Sequence, residues 1–292
     1  MMRDKAAEAP VPTEAWLTTS QLSMHYLDWG GSGTPVIALH GLASSAHWYD
    51  LVMPYLADSF HIFALDLRAH GKTDQPSTGY DWETLANDVA EAMGRLDLEH
   101  ASVVGHSWGA NVALALAALH PKRVSKLALV EGGFFGFNRS EITWEQFKAR
   151  LSPRDIYGSR ERYLGALRTQ FADYWSDQME RMVMSMVRID SKGMVHERLE
   201  PGNHEQVLWA MWTQPPANMF HKVQCPALLV AAERPWTQAS DEFIRRRNES
   251  VNAAQAALPD CKAVWISDTG HDIGYQKPKE LAEALLDFLS DG

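Results

Sequence analysis

Residues 101–114, ASVVGHSWGANVAL, decide how this chain is read. A short valine-rich run ends in Gly105-His106-Ser107-Trp108-Gly109, and a helix-prone run rich in alanine and leucine continues to His120. A Gly-X-Ser-X-Gly pattern between a strand and a helix marks a turn so sharp that its serine takes a strained backbone conformation. Only glycine at the flanking positions leaves room for the neighbouring chain. Ser107 is thereby held above the sheet edge, where a nucleophile belongs.

On either side of this segment, five more short apolar runs read as buried parallel strands: PVIALHG at 35–41, HIFALDL at 61–67, KLALVE at 126–131, ALLVAAE at 227–233 and AVWIS at 263–267. Amphipathic stretches at 46–57, 82–96, 110–120 and 278–289 are long enough to be crossover helices. The expected architecture is a doubly wound α/β sheet, preceded by an antiparallel pair within WLTTSQLSMHYLDWG at 16–30. Residues 1–14 read as a mobile tail, 15–133 and 224–292 as the core, and 134–223 as an inserted helical cap. The cap carries aromatic and methionine side chains: Trp144, Phe147, Tyr157, Tyr163, Phe171, Tyr174, Trp175, Met179, Met182, Met184, Met186, Trp209, Met211, Trp212, Met219 and Phe220. Each one alone suits packing of the cap onto the core, and together they suit an apolar pocket.

A serine hydroxyl needs a base, and the base needs a carboxylate to orient it. His271, in SDTGHDI after the last strand and before the C-terminal helix, follows the chain order serine, acid, histidine of such folds. Three carboxylates compete for the acid: Glu131 at the end of KLALVE, Glu233 after ALLVAA, and Asp241 further along. Glu131 is favoured, because no aspartate directly follows ALLVAA. His40-Gly41-Leu42 follows PVIAL, so the backbone amides of Leu42 and Trp108 are expected to form the oxyanion hole. His40 and His106 are read as structural hydrogen-bonding residues. Asp66 to Asp74 are read as a brace for the loops around the elbow.

Composition narrows the field further. The chain has 292 residues, 46% hydrophobic and 22% charged, which is ordinary globular usage. A formal net charge of -10 repels nucleic acid and anionic lipid. Two cysteines, Cys225 and Cys261, make no disulfide framework and fit a reducing compartment. Neither a secretory leader nor a membrane-spanning run is seen, so the expectation is cytoplasmic. No metal spacing or nucleotide loop is present, and no cofactor is expected.

The motifs HGLASS, DLRAHGKTD, GHSWGA and TGHDI, in this order over about residues 22–290, resemble the α/β-hydrolase fold family. That resemblance implies an eight-stranded, mostly parallel sheet. Trp108 after the nucleophile, LALVEGG and VAAERPW resemble the branch containing haloalkane dehalogenases and epoxide hydrolases, some of which take their acid after the sixth strand. Those enzymes attack with aspartate, to form an ester that water opens. Ser107 would form an ether at carbon instead, so both activities are set aside. The expectation is a serine hydrolase cleaving a carboxylic ester, with a small, apolar acyl substrate. Lactone, thioester and C–C cleavage or perhydrolysis at the same triad stay open, as does a ligand-binding receptor on the same fold.

Overall fold

In a computed structural model, the structure describes residues 10–136, 142–153, 155–233 and 241–291. Strands β1 (Thr13–Thr18) and β2 (Ser23–Asp28) form the expected antiparallel hairpin. β3 (Thr34–Leu39), β4 (Phe60–Leu65), β5 (Ala101–His106), β6 (Val124–Val130), β9 (Ala227–Ala232) and β10 (Cys261–Ile266) complete a sheet of order β1-β2-β4-β3-β5-β6-β9-β10. β2 meets β4 antiparallel, and from β4 onward every pairing is parallel.

Both faces of the sheet are covered, which is why its strands read as continuous apolar runs. Val103, Leu127 and Leu229 face one core with helices α1 (Trp82–Arg95), α2 (Trp108–Leu119) and α7 (Asp241–Ala257). Val104, Val130 and Val230 face the other with α9 (Pro278–Ser290) and the short α8 (Ile273–Gln276). α2 is buried on every side from Trp108 to Ala118, matching a sequence that is apolar but for Asn111.

Between β6 and β9 lies the insertion, with helices α3 (Trp144–Arg150), α4 (Arg160–Gln170), α5 (Asp177–Ser185) and α6 (Pro201–Thr213). α4 and α5 add Leu164, Leu167, Met179 and Met182 to the core beside α9, whereas α6 adds Val207 and Ala210 to the other. Polar ties fasten it to the core. Ser45 and Ser185 hydroxyls share a 2.7 Å hydrogen bond, and Trp82 Nε1 donates to the Gln214 carbonyl at 3.0 Å.

Four features differ from the sequence reading. The stretch 46–57 is two single 3-10 turns, Ala46–Tyr49 and Met53–Tyr55, instead of a helix. Pro54 has no amide to donate, and Tyr49 is drawn under the sheet, where its hydroxyl donates to the Leu39 carbonyl at 2.9 Å. β1 begins at Thr13, paired with Asp28, so the segment expected as a tail ends earlier than residue 14; residues 1–9 lie outside the described residues. The insertion is not purely helical, since β7 (Val187–Ile189) and β8 (Val195–Glu197) form a hairpin. Three-residue strands are too short to show a period of two. α7 went unread because its sequence, DEFIRRRNES, has little apolar periodicity and buries only Arg247, Val251 and Ala254.

Candidate active site

The elbow is built as its glycines require. Ser107 has φ 54° and ψ -118°, a left-handed strain of about 1–3 kcal/mol for a non-glycine residue. Its amide donates to Val130 O at 2.8 Å, and its carbonyl accepts from Ala110 N at 3.1 Å, so the turn is held from both sides. A Cβ on Gly105 would fall 2.4 Å from Gly109 O, and one on Gly109 would fall 2.2 Å from His40 O. No larger residue fits either place without moving backbone.

Ser107 Oγ lies 2.9 Å from His271 Nε2. The loop carrying His271 is fixed by three hydrogen bonds. Gln276 Oε1 accepts from Gly270 N at 2.5 Å and from Thr269 Oγ1 at 2.7 Å, while His106 Nε2 donates to His271 O at 3.0 Å. His106 is itself stacked on Trp48 at 3.9 Å, and burial pushes its titration well below the usual histidine range. It is therefore a neutral structural donor, as the sequence suggested. Gln276 and Trp48 carry no motif and were not found from the sequence.

Of the three candidate acids, Glu131 is brought to His271, with Oε2 3.4 Å from Nδ1. Glu131 also has positive φ, 49°, and its side chain is only 2% exposed. Its other oxygen, Oε1, accepts from Ala232 N at 2.6 Å and from Arg247 Nη2. The exposed Glu233 instead accepts the Asp268 amide at 3.3 Å, and Asp241 is exposed at the start of α7. Residues 234–240, which include the rest of the VAAERPW motif, lie outside the described residues. Burial opposes protonation of His271, but its hydrogen bond to Glu131 and the nearby Asp272 charge outweigh that and the Arg247 charge, raising its pKa.

The loop after β3 lies against the serine: a Cβ on Gly41 would sit 3.2 Å from Ser107 Cβ. His40 Nδ1 donates to Gly41 O at 2.8 Å and its Nε2 accepts from Leu67 N at 3.1 Å. His70 Nε2 accepts from Ala43 N at 3.1 Å, and Asp66 Oδ1 accepts from Ala46 N at 2.6 Å. The segment 66–74 does brace this loop. Burial drives His40 down and His70 to about 3, so both rings stay neutral. Trp108 is the first residue of α2, where an amide has no acceptor within the helix, and Leu42 borders the same cavity.

A cavity of about 1280 Å³ opens between core and insertion over these residues. Tyr157, Tyr163, Phe171, Met186 and Met211 line it with Phe134 and Phe135. Trp209 instead points outward, 53% exposed, and Phe147 is buried in packing. Arg150, Glu197, His204, Glu242 and Arg246 also border the cavity, so its wall is mixed and less apolar than the sequence implied. Among the described residues, no group of three His, Cys, Asp or Glu side chains is placed to hold a metal ion, and no helix is long and apolar enough to cross a membrane.

A family profile described as alpha/beta hydrolase fold matches residues 34–278, and this chain belongs to that family. It is similar to a soluble epoxide hydrolase of Corynebacterium sp. (strain C12), 38% identical over 108 residues covering 37% of each chain. It is also similar to a non-heme chloroperoxidase of Streptomyces lividans, 41% identical over 116 residues, 39% of this chain and 42% of the relative. Each match thus spans about two fifths of the relative's length. In structure it resembles E-2-(acetamidomethylene)succinate hydrolase, with TM-score 0.81, 20% identity, and coverage of 96% of this chain and 100% of that one.

Proposed function

We propose that this member of a hydrolase family cleaves a carboxylic ester, or a closely related acyl compound, through an acyl-enzyme on Ser107. The observation that carries the reading is the 2.9 Å contact between Ser107 Oγ and His271 Nε2 on a strained elbow, at the floor of a covered cavity. His271 takes the serine proton as Oγ attacks the carbonyl carbon, and Glu131 orients the ring and stabilises the imidazolium. The Leu42 and Trp108 amides hold the oxyanion of the tetrahedral intermediate. A fixed donor of this kind typically contributes about 3–4 kcal/mol to the transition state. His271 then returns the proton to the departing alcohol, activates a water, and the acyl group leaves as the acid.

The same reasoning separates this chain from the chemistry named for the epoxide hydrolase relative. Attack by a serine oxygen on an epoxide carbon leaves an ether, which has no carbonyl for water to attack. The chloroperoxidase match supports one variant: hydrogen peroxide attacks the acyl-enzyme in place of water, giving a peracid and free Ser107.

The test is turnover of p-nitrophenyl esters from acetate to decanoate by wild type and Ser107→Ala, with and without hydrogen peroxide. We expect ester hydrolysis that depends on Ser107 and on chain length. Equal rates in Ser107→Ala would overturn the assignment, and peracid as the main product would select the peroxide variant.

A further inference from the structure

Arg247, on α7, is a buried guanidinium to which the acyl-transfer mechanism assigns no task. Its side chain is 3% exposed against 2% for Glu131, and its Nη2 donates to Glu131 Oε1, the oxygen that already accepts the Ala232 amide. The guanidinium carbon lies 5.2 Å from the ring centroid of Trp265, on β10. Glu131 is left with one oxygen for His271, at 3.4 Å, near the outer limit of a hydrogen bond. One carboxylate is therefore shared between a permanent cation and an imidazole, and the cation holds the shorter contact.

We propose that Arg247 is a positioning residue that locks the Glu131 carboxylate and weakens its pull on His271, leaving the imidazole free to take the Ser107 proton. This rests on the reading of His271 as the general base. The effect is electrostatic as well as steric. Inside a protein a nearby charge is poorly screened, so a cation behind the carboxylate opposes protonation of the ring in front of it. Other groups face the ring too. His106, from β5, has its ring centroid 5.1 Å away; Asp272 follows in the chain; Tyr275 of α8 and Glu242 and Arg246 of α7 border the same cavity. Burial keeps the Tyr275 phenol neutral. His271 protonation is opposed first by burial and then favoured by Glu131 and Asp272, and Arg247 is the cation that limits the rise.

The experiment is an NMR titration of the His271 imidazole, assigned by its loss in His271→Gln, and it needs no substrate. Arg247→Gln removes the charge and keeps an amide donor toward Glu131; Arg247→Lys keeps the charge. We expect the His271 midpoint to rise by about half a pH unit or more in Arg247→Gln and to hold within about 0.2 unit in Arg247→Lys. A lone buried carboxylate can unfold the chain, so Arg247→Gln is also made in a Glu131→Gln background, where the pair is neutral. There too the midpoint must rise relative to Glu131→Gln alone. A midpoint that moves in neither background, or equally in Lys and Gln, overturns the proposal; a purely structural Arg247 would lower the melting temperature and leave the titration alone. Parallel ester turnover keeps the two readings apart. A midpoint that moves in a wild type inactive on esters leaves the Arg247 coupling standing and removes the acyl-transfer reading.

Discussion

Ser107 and Glu131 both hold positive φ, at 54° and 49°, and both face His271. Strain at two non-glycine positions persists only where the surroundings impose it, and such positions gather at functional sites. If Glu131 is the acid, Glu131→Gln should lower kcat/KM on the best ester about 10²–10⁴-fold, whereas Glu233→Gln should stay within about threefold of wild type. Steady-state kinetics on both variants decide this, and the reverse ranking would reassign the acid. At this scale the meeting of Ser107 and His271 was legible, because each sits in a motif at a strand end. That Glu131 rather than Glu233 or Asp241 stands beside His271 was legible only as a preference among three. Arg247 was not legible at all, since it lies 116 positions from Glu131 in a polar helix and only the packing of α7 over β9 and β10 brings them together.

Among the elements, the tolerance of the elbow between β5 and α2 is set by backbone contact. Gly105→Ala places a Cβ 2.4 Å from Gly109 O and 2.6 Å from Ala110 Cα, neither of which can move without displacing α2. We expect a loss of stability on the order of 3 kcal/mol or more, read as a fall in melting temperature or in soluble yield. An unchanged melting temperature would show that the turn is looser than its geometry. The strands flanking this elbow were legible because burial on both faces writes them as apolar runs. The 3-10 turns of 46–57, the hairpin β7–β8 and α7 were not, because their places are set by Tyr49 under the sheet, by a three-residue pairing and by tertiary packing.

For the molecule as a whole, buried neutral histidines set the response to acid. His70 is held at about 3 by burial, and burial lowers His40 and His106 as well. An unfolded histidine takes up its proton near 6.5. Below that pH the unfolded chain binds protons that the folded chain refuses, so stability must fall as the pH drops from about 6.5 toward 3. His47 and His271, both raised, oppose this trend and are outnumbered. Urea unfolding at pH 7.5, 6, 5 and 4 should show a steadily falling midpoint; a midpoint that rises on acidification would contradict the assignment of neutral rings. Activity should follow the opposite member of the set. If His271 is the base it must be neutral to act, and its pKa is raised, so kcat/KM should climb with pH through a midpoint above the ordinary histidine value.

The molecular outline, a doubly wound and mostly parallel sheet with helices on both faces, was readable from the alternation of apolar runs and helical stretches. The shape and polarity of the cavity were not, because they depend on which faces of α3 to α7 turn inward. If a single activated serine lies beneath that cavity, intact-protein mass spectrometry after exposure to a fluorophosphonate, run beside Ser107→Ala, reads it without any knowledge of the substrate. One adduct on the wild type and none on Ser107→Ala is the predicted result. No adduct on the wild type, or an adduct that persists without the Ser107 hydroxyl, would contradict it.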